Sequence, residues 1–229
     1  MGETLHQNAD PEKSALFSST SKQEFRFSLR NWLLSLLFCL VAILIAFPWL
    51  DLPIAEHLFG ILGTSKTLGN GFASVVLLGI EAAVVLALVI SRLLRGHLTP
   101  FQEATAIACL TSICAYAVND TLIKPLFGVP CPALVFQGAT HAIHFLDGAA
   151  GNSFPSGHMV LACSFAGVFI RLYRSLALPL SILLCIGAIL LIGGSWHFLS
   201  DVIAGSFVGL SVGILAGEAW LAHSRRSNA

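Results

Sequence analysis

The sequence predicts an all-α fold, a polytopic membrane protein built as a six-transmembrane helix bundle. The 229 residues are 56% hydrophobic and only 10% charged, with mean hydropathy +0.84. A soluble domain carries about 25% charged residues. Apolar runs long enough to cross a bilayer recur along the chain, separated by short polar connections. The basic residues are also distributed as they are in proteins threaded through a membrane.

Residues 1–30 are polar and of mixed charge, and read as a cytoplasmic N-terminal tail. The first apolar run, 32–50, is too long and too far from the start for a signal peptide, so it reads as a retained span. Further spans are expected at about 72–90 and 101–123, then a long loop at 124–154. Helix four is expected from Pro155 to about Tyr173, helix five over about 176–194 and helix six over about 197–222. The membrane domain thus covers 31–223, and 224–229 form a cytoplasmic C-terminal tail.

Lys13, Lys22, Arg26, Arg30, Arg92, Arg95, Arg171, Arg174, Arg225 and Arg226 fall on one side of this arrangement, and only Lys66 and Lys124 on the other. That asymmetry predicts both termini in the cytoplasm, and for so compact a chain a cell inner membrane is the expected location. The 124–154 loop and the starts of helices four and six then face outward, on the periplasmic side. Net charge is zero, so no nucleic acid partner is expected. Five of the six cysteines lie in apolar runs and Cys131 in the loop, with neither a disulfide framework nor a zinc spacing. Nothing in the sequence specifies an oligomeric state. Gly205, Gly209, Gly213 and Gly217 recur every fourth residue, a stripe that lets a neighbouring helix approach closely. Glu81, in mid-span, should face the bundle interior and take a structural hydrogen bond.

Candidate chemistry collects at the outer face in three clusters. Phe154-Pro155-Ser156-Gly157-His158 opens a helix after a glycine-rich loop. Pro155 suits a first helical turn, and the N–H groups of Ser156, Gly157 and His158 have no helical partner, which makes an anion site. A plain helix cap beside a chance histidine explains that segment equally well. His197 and Asp201 are four residues apart at a helix head, close enough for the carboxylate to fix the imidazole tautomer. Taken alone, that pair is equally consistent with a structural role. Lys124-Pro125 and Cys131-Pro132 complete the set. Two histidines, one backed by an aspartate, with a cation and N–H donors nearby, are the parts needed to move a phosphoryl group through a phosphohistidine. The scheme calls for no metal and no cofactor.

The sequence resembles the type 2 phosphatidic acid phosphatase superfamily, which also includes the vanadium haloperoxidases. That family carries Lys-x6-Arg-Pro, Pro-Ser-Gly-His and Ser-Arg-x5-His-x3-Asp. The second motif is intact at 155–158 and His-x3-Asp at 197–201; Lys124 and Pro132 match the ends of the first. The resemblance covers about 100–205. It implies His197 as nucleophile, Asp201 as its orienting partner, His158 as general acid, and Lys124, Ser156 and Gly157 as phosphate ligands. The implied partner is a lipid phosphate in the membrane.

Two departures bear on function. Cys131 stands where the first motif has arginine, and Leu190-Leu191 where the third has Ser-Arg. Each guanidinium would have clamped phosphate oxygens, and losing one such donor costs on the order of a hundredfold in rate. His141, His144, Asn152 and Ser153 are candidates to replace those donors. A zinc site on the two loop histidines is disfavoured, because no nearby cysteine completes it. Three readings follow: a lipid phosphatase, a lipid phosphotransferase such as the sphingomyelin-synthase-like relatives, and a non-catalytic binder of lipid phosphates. The phosphatase ranks first because it uses every retained catalytic residue.

Overall fold

The computed structural model describes residues 29–62, 70–146 and 152–227. Most of the expected N-terminal tail, Lys66 and the stretch around Gly151 lie outside the described residues. Helices account for nearly all the regular structure: α1 (Leu29–Trp49), α2 (Asp51–Leu62), α3 (Asn70–Arg95), α4 (Pro100–Val118), α5 (Gly157–Leu172), α6 (Ala177–Gly193) and α7 (Leu199–Ser227). Among the described residues, five helical segments are long and apolar enough to cross a membrane: α1, residues 74–95 of α3, Pro100–Phe127, Arg174–Gly193 and α7 up to Arg226. The expected helix four is the exception. It has 16 residues, about 24 Å of helix, and most of its side chains are buried among its neighbours.

Helix α5 is therefore the core of the bundle, with α7 and α4 packed along it. Val168, Phe169 and Leu172 of α5 meet Ala104 and Ala108 of α4 and Leu221 of α7 in one apolar cluster. The glycine stripe makes the α5–α7 contact. A Cβ on Gly209 would lie 2.7 Å from the Val160 carbonyl oxygen, and one on Gly213 would collide with the Ser164 carbonyl. Backbone meets backbone here, so only glycine fits. Leucines such as Leu86, Leu183 and Leu190 on the outer helices are exposed, as lipid-facing residues are.

Three boundaries differ from the sequence reading. Helix α5 starts at Gly157, because the Ser156 side chain accepts the Met159 N–H and makes Ser156 the N-cap. Pro155 therefore precedes the cap, in a cis peptide with Phe154, and is not in the first turn. Helix α7 starts at Leu199, so His197 lies in the turn before it, and it runs on to Ser227, past 223. Helix α4 continues through a π-helical turn, Asn119–Ile123, into Lys124–Phe127, so Lys124 is helical and not in a loop. Asp51–Leu62 forms a further helix between the first two expected spans. As expected, Glu81 takes a hydrogen bond: the Ser112 hydroxyl lies 2.5 Å from its carboxyl oxygen.

Candidate active site

The N-terminal ends of α5 and α7 meet at one end of the bundle and are tied by their backbones. The Ser156 N–H donates to the Asp201 carbonyl at 3.0 Å. It is not open to an anion as the sequence reading supposed, and the Ser156 hydroxyl is occupied as the cap. The Asp201 carboxylate in turn accepts the Phe198 N–H at 2.8 Å, closing the first turn of α7. These ties bring the two histidines together. His158 Nδ1 lies 3.3 Å from His197 Nε2, with both rings buried.

Behind His197, the arrangement departs from a simple His–Asp pair. His197 Nδ1 is 3.5 Å from Asp201 Oδ2 but 3.0 Å from the Ser153 hydroxyl oxygen. That hydroxyl also makes a short hydrogen bond to Asp201 Oδ2. On the far side of His158, Ser74 at the start of α3 lies 3.1 Å from Nε2. With both imidazoles neutral, the order of protons along this chain is forced. A carboxylate only accepts, so Ser153 donates to Asp201 and accepts from His197 Nδ1–H. His197 Nε2 is then the acceptor, His158 Nδ1–H donates to it, and the Ser74 hydroxyl donates to His158 Nε2.

Lys124 reaches the same place. Its ammonium would lie 3.3 Å from a Cβ on Gly157, and Tyr116 Cε2 would lie 3.0 Å from it. Any side chain at 157 would fill the space between the lysine and the helix terminus. The wide π turn before Lys124 shifts the residues after it around the helix by about one position. Asn119 in that turn is buried and donates to the Pro155 carbonyl at 3.2 Å, fixing α4 against the loop before α5. Lys124 also pairs with Asp120 at 2.8 Å, a partner the sequence reading missed.

Apolar groups occupy the third motif's arginine position. Leu191 is buried against Met159, Cys163 and Val202, whereas Leu190 faces outward. The Leu191 carbonyl accepts the Trp196 N–H at 3.1 Å, and the Trp196 ring stacks on His158 with centroids 5.8 Å apart. Every described arginine lies at the opposite end: Arg30 at the start of α1, Arg92 and Arg95 at the end of α3, Arg171 at the end of α5, Arg174 just beyond it, and Arg225 and Arg226 at the end of α7. Cys131 is half-buried and begins the short turn Pro132–Val135.

Of the candidates to replace the guanidiniums, His141 and Ser153 have their side chains engaged elsewhere. The His141 ring is enclosed between Phe47 and Phe198, its Nε2 3.6 Å from Asp51 Oδ2. Asp51 itself accepts the Ser200 N–H at 2.9 Å and the Ser200 hydroxyl at 2.5 Å, capping α7 from outside. His144 binds the Phe127 carbonyl through its backbone N–H, and its own carbonyl packs against Gly128, which adopts φ +59° where a Cβ would collide. Asn152 bridges Pro130, and Ser153 is committed to His197 and Asp201. Among the described residues, no group of three or more His, Cys, Asp or Glu side chains is placed to hold a metal ion. Ser74 and Asp51 act across long separations and have no local sequence signal, whereas Asp120 stands four residues before Lys124, a spacing that pairs the two once the segment is helical.

Comparison with curated proteins and with solved structures returns no match. A family profile described as PAP2 superfamily matches residues 104–224, from within α4 to near the end of α7, and so spans the whole His158–His197–Asp201 arrangement. The match covers more than half of the chain, which belongs to the PAP2 superfamily.

Proposed function

We propose that this membrane protein is a lipid phosphatase acting on a phosphomonoester or pyrophosphate at the outer, periplasmic face through a phosphohistidine on His197. Family membership supports phosphatase or phosphotransferase chemistry on phosphate esters. The observation that carries the finer reading is the 3.3 Å approach of His158 Nδ1 to His197 Nε2. It puts a proton donor at the nitrogen that would attack phosphorus, while the other nitrogen is held from behind.

In this scheme His197 Nε2 attacks phosphorus and the P–O bond to the lipid breaks. Phosphorus displaces His158 Nδ1–H from His197, and that proton goes to the departing alkoxide or phosphate oxygen. Water then attacks the phosphohistidine, giving its proton to His158 and releasing phosphate. Lys124 and the N–H groups at Gly157 and His158 hold the equatorial oxygens, with the Ser156 hydroxyl beside them. Asp201 orients the nucleophile. The outer face is inferred from the arginines at the opposite end of the bundle.

A second reading, transfer of a phospho-headgroup to an acceptor alcohol, draws on one feature. Lys124 is already paired with Asp120, and Leu191 lies in an apolar cluster. A phosphodiester carries less charge than a monoester and needs fewer cations. The two readings separate in a product assay on detergent-purified protein, given a panel of lipid phosphates and a phosphodiester lipid with an acceptor. Free phosphate that disappears in His197→Ala is the expected result. Headgroup transfer without phosphate would establish the second reading, and wild type as inert as His197→Ala on every substrate would leave a non-catalytic binder.

A further inference from the structure

Asp201 meets the His197 ring through an intermediary. Its Oδ2 is 3.5 Å from His197 Nδ1, too long for a strong hydrogen bond, while Ser153 Oγ is 3.0 Å from the same nitrogen and hydrogen-bonded to Oδ2. Ser153, His197 and Asp201 are all buried, so water does not compete for these contacts. Asp201 Oδ2 also accepts the Phe198 N–H, and Asp201 Oδ1 is buried with no hydrogen-bond partner. Oδ2 is therefore the carboxylate's working oxygen, and it is shared between the helix turn and the serine.

We propose that Ser153 is the positioning residue for His197: it holds Nδ1–H, fixes the tautomer that leaves Nε2 free to attack, and transmits the Asp201 charge to the ring. The proposal rests on the phosphohistidine reading given above. The serine is fixed in place by its backbone. Its N–H donates to the Val129 carbonyl at 2.7 Å, and the preceding Asn152 pairs with Pro130. The loop after Lys124 thereby reaches the nucleophile. When phosphorus bonds to Nε2, the ring becomes cationic. The Ser153 oxygen, polarised by donating its own proton to Asp201, is the first group to meet that charge. Deleting the hydroxyl removes the link and leaves both ends in place.

The test is a double-mutant cycle with a spectroscopic arm, on the full chain in detergent, using Ser153→Ala, Asp201→Asn and the double variant. Turnover is read on the lipid phosphate that wild type hydrolyses best. Ser153→Ala should lower kcat by about 10- to 100-fold, the worth of a hydrogen bond to a charged group, with KM within about twofold of wild type. If Ser153 carries the Asp201 effect, the double variant falls no more than about threefold below the worse single variant. Losses that multiply would overturn the proposal, because they assign the two residues independent effects. In parallel, nitrogen-15 spectra of histidine-labelled protein should show the His197 Nδ1–H signal shifted or lost in Ser153→Ala and retained in Ser74→Ala. An unchanged signal in Ser153→Ala would overturn the proposal as well. If wild type turns over no substrate, the phosphatase reading fails by itself, and the spectra still decide whether Ser153 holds the ring.

Discussion

Replacing Gly205 by alanine should damage the site and the fold together. A Cβ at this position lies 2.5 Å from the Ser156 carbonyl oxygen, 3.1 Å from Met159 Cβ and 3.2 Å from Ser156 Cβ. A carbon normally approaches a carbonyl oxygen to about 3.3 Å, so the first turn of α5 must retreat by about 0.8 Å. Overpacking of this kind costs about 1–3 kcal/mol of stability. The turn that retreats carries the Ser156 N–H bonded to the Asp201 carbonyl, and His158 two residues on. A misplacement near 1 Å in a catalytic constellation costs on the order of a hundredfold in rate. The control is on the same stripe. A Cβ on Gly217 meets Arg171 Cβ and Cγ at 3.0 Å, a looser contact than the one at Gly205, and lies 12 residues further along, about 18 Å from the site. Gly217→Ala should change turnover by less than about threefold. A second control, Gly187→Ala on α6, meets nothing within 4 Å and should raise helix stability by about 0.5–1 kcal/mol. Phosphate release and thermal melting in detergent read both effects. The reasoning fails if Gly205→Ala keeps wild-type turnover and melting, or if Gly217→Ala loses as much turnover as Gly205→Ala.

Ser74→Ala removes the hydrogen bond to His158 Nε2 and should lower kcat by about 3- to 10-fold at unchanged melting temperature, the net worth of one such bond. A drop in melting with intact turnover would make Ser74 a packing residue. Asp51→Ala strips partners from the Ser200 N–H and hydroxyl inside the protein and leaves His141 without its carboxylate. Each orphaned group costs about 1–3 kcal/mol, so melting should fall by several degrees, and by clearly more than in Ser200→Ala. Equal losses in the two variants would show that Asp51 acts on Ser200 alone.

Much of this arrangement was legible in the sequence, and what escaped has an identifiable cause. Pro155–His158 and His197-x3-Asp201 could be read because each is local, and local spacing maps directly onto a helix end. The glycine stripe could be read because a four-residue period has one geometric meaning on a helix. The reading failed where a group's partner lies far along the chain. Ser153 could be named only as a spare donor, because its bond to Asp201 spans 48 residues. Ser74 and Asp51 act across 84 and 149 residues, on helices whose sequences carry nothing but hydrophobicity around them. The Pro155 expectation failed for a different reason. Proline suits a first turn, but a serine beside it competes for the cap, and here the serine took it.

The two substituted arginine positions acquire a physical meaning from how the site is held. The histidines are aligned by backbone and cap contacts between α5 and α7: Ser156 N–H to the Asp201 carbonyl, Phe198 N–H to the Asp201 carboxylate, and the glycine stripe beneath them. None of these contacts uses a guanidinium, so the two histidines stay in register without the arginines. At 191, the leucine side chain adds to the apolar cluster of Met159, Cys163 and Val202 that backs both helix starts, and its carbonyl holds the turn leading to His197. Trp196 covers His158 from the same side. Alignment of the histidines and the strength of the anion clamp are therefore separable in this fold. The consequence is that restoring charge by Leu191→Arg should not strengthen the site. A buried arginine there would displace the cluster under both helix starts and lose the alignment that a clamp would need.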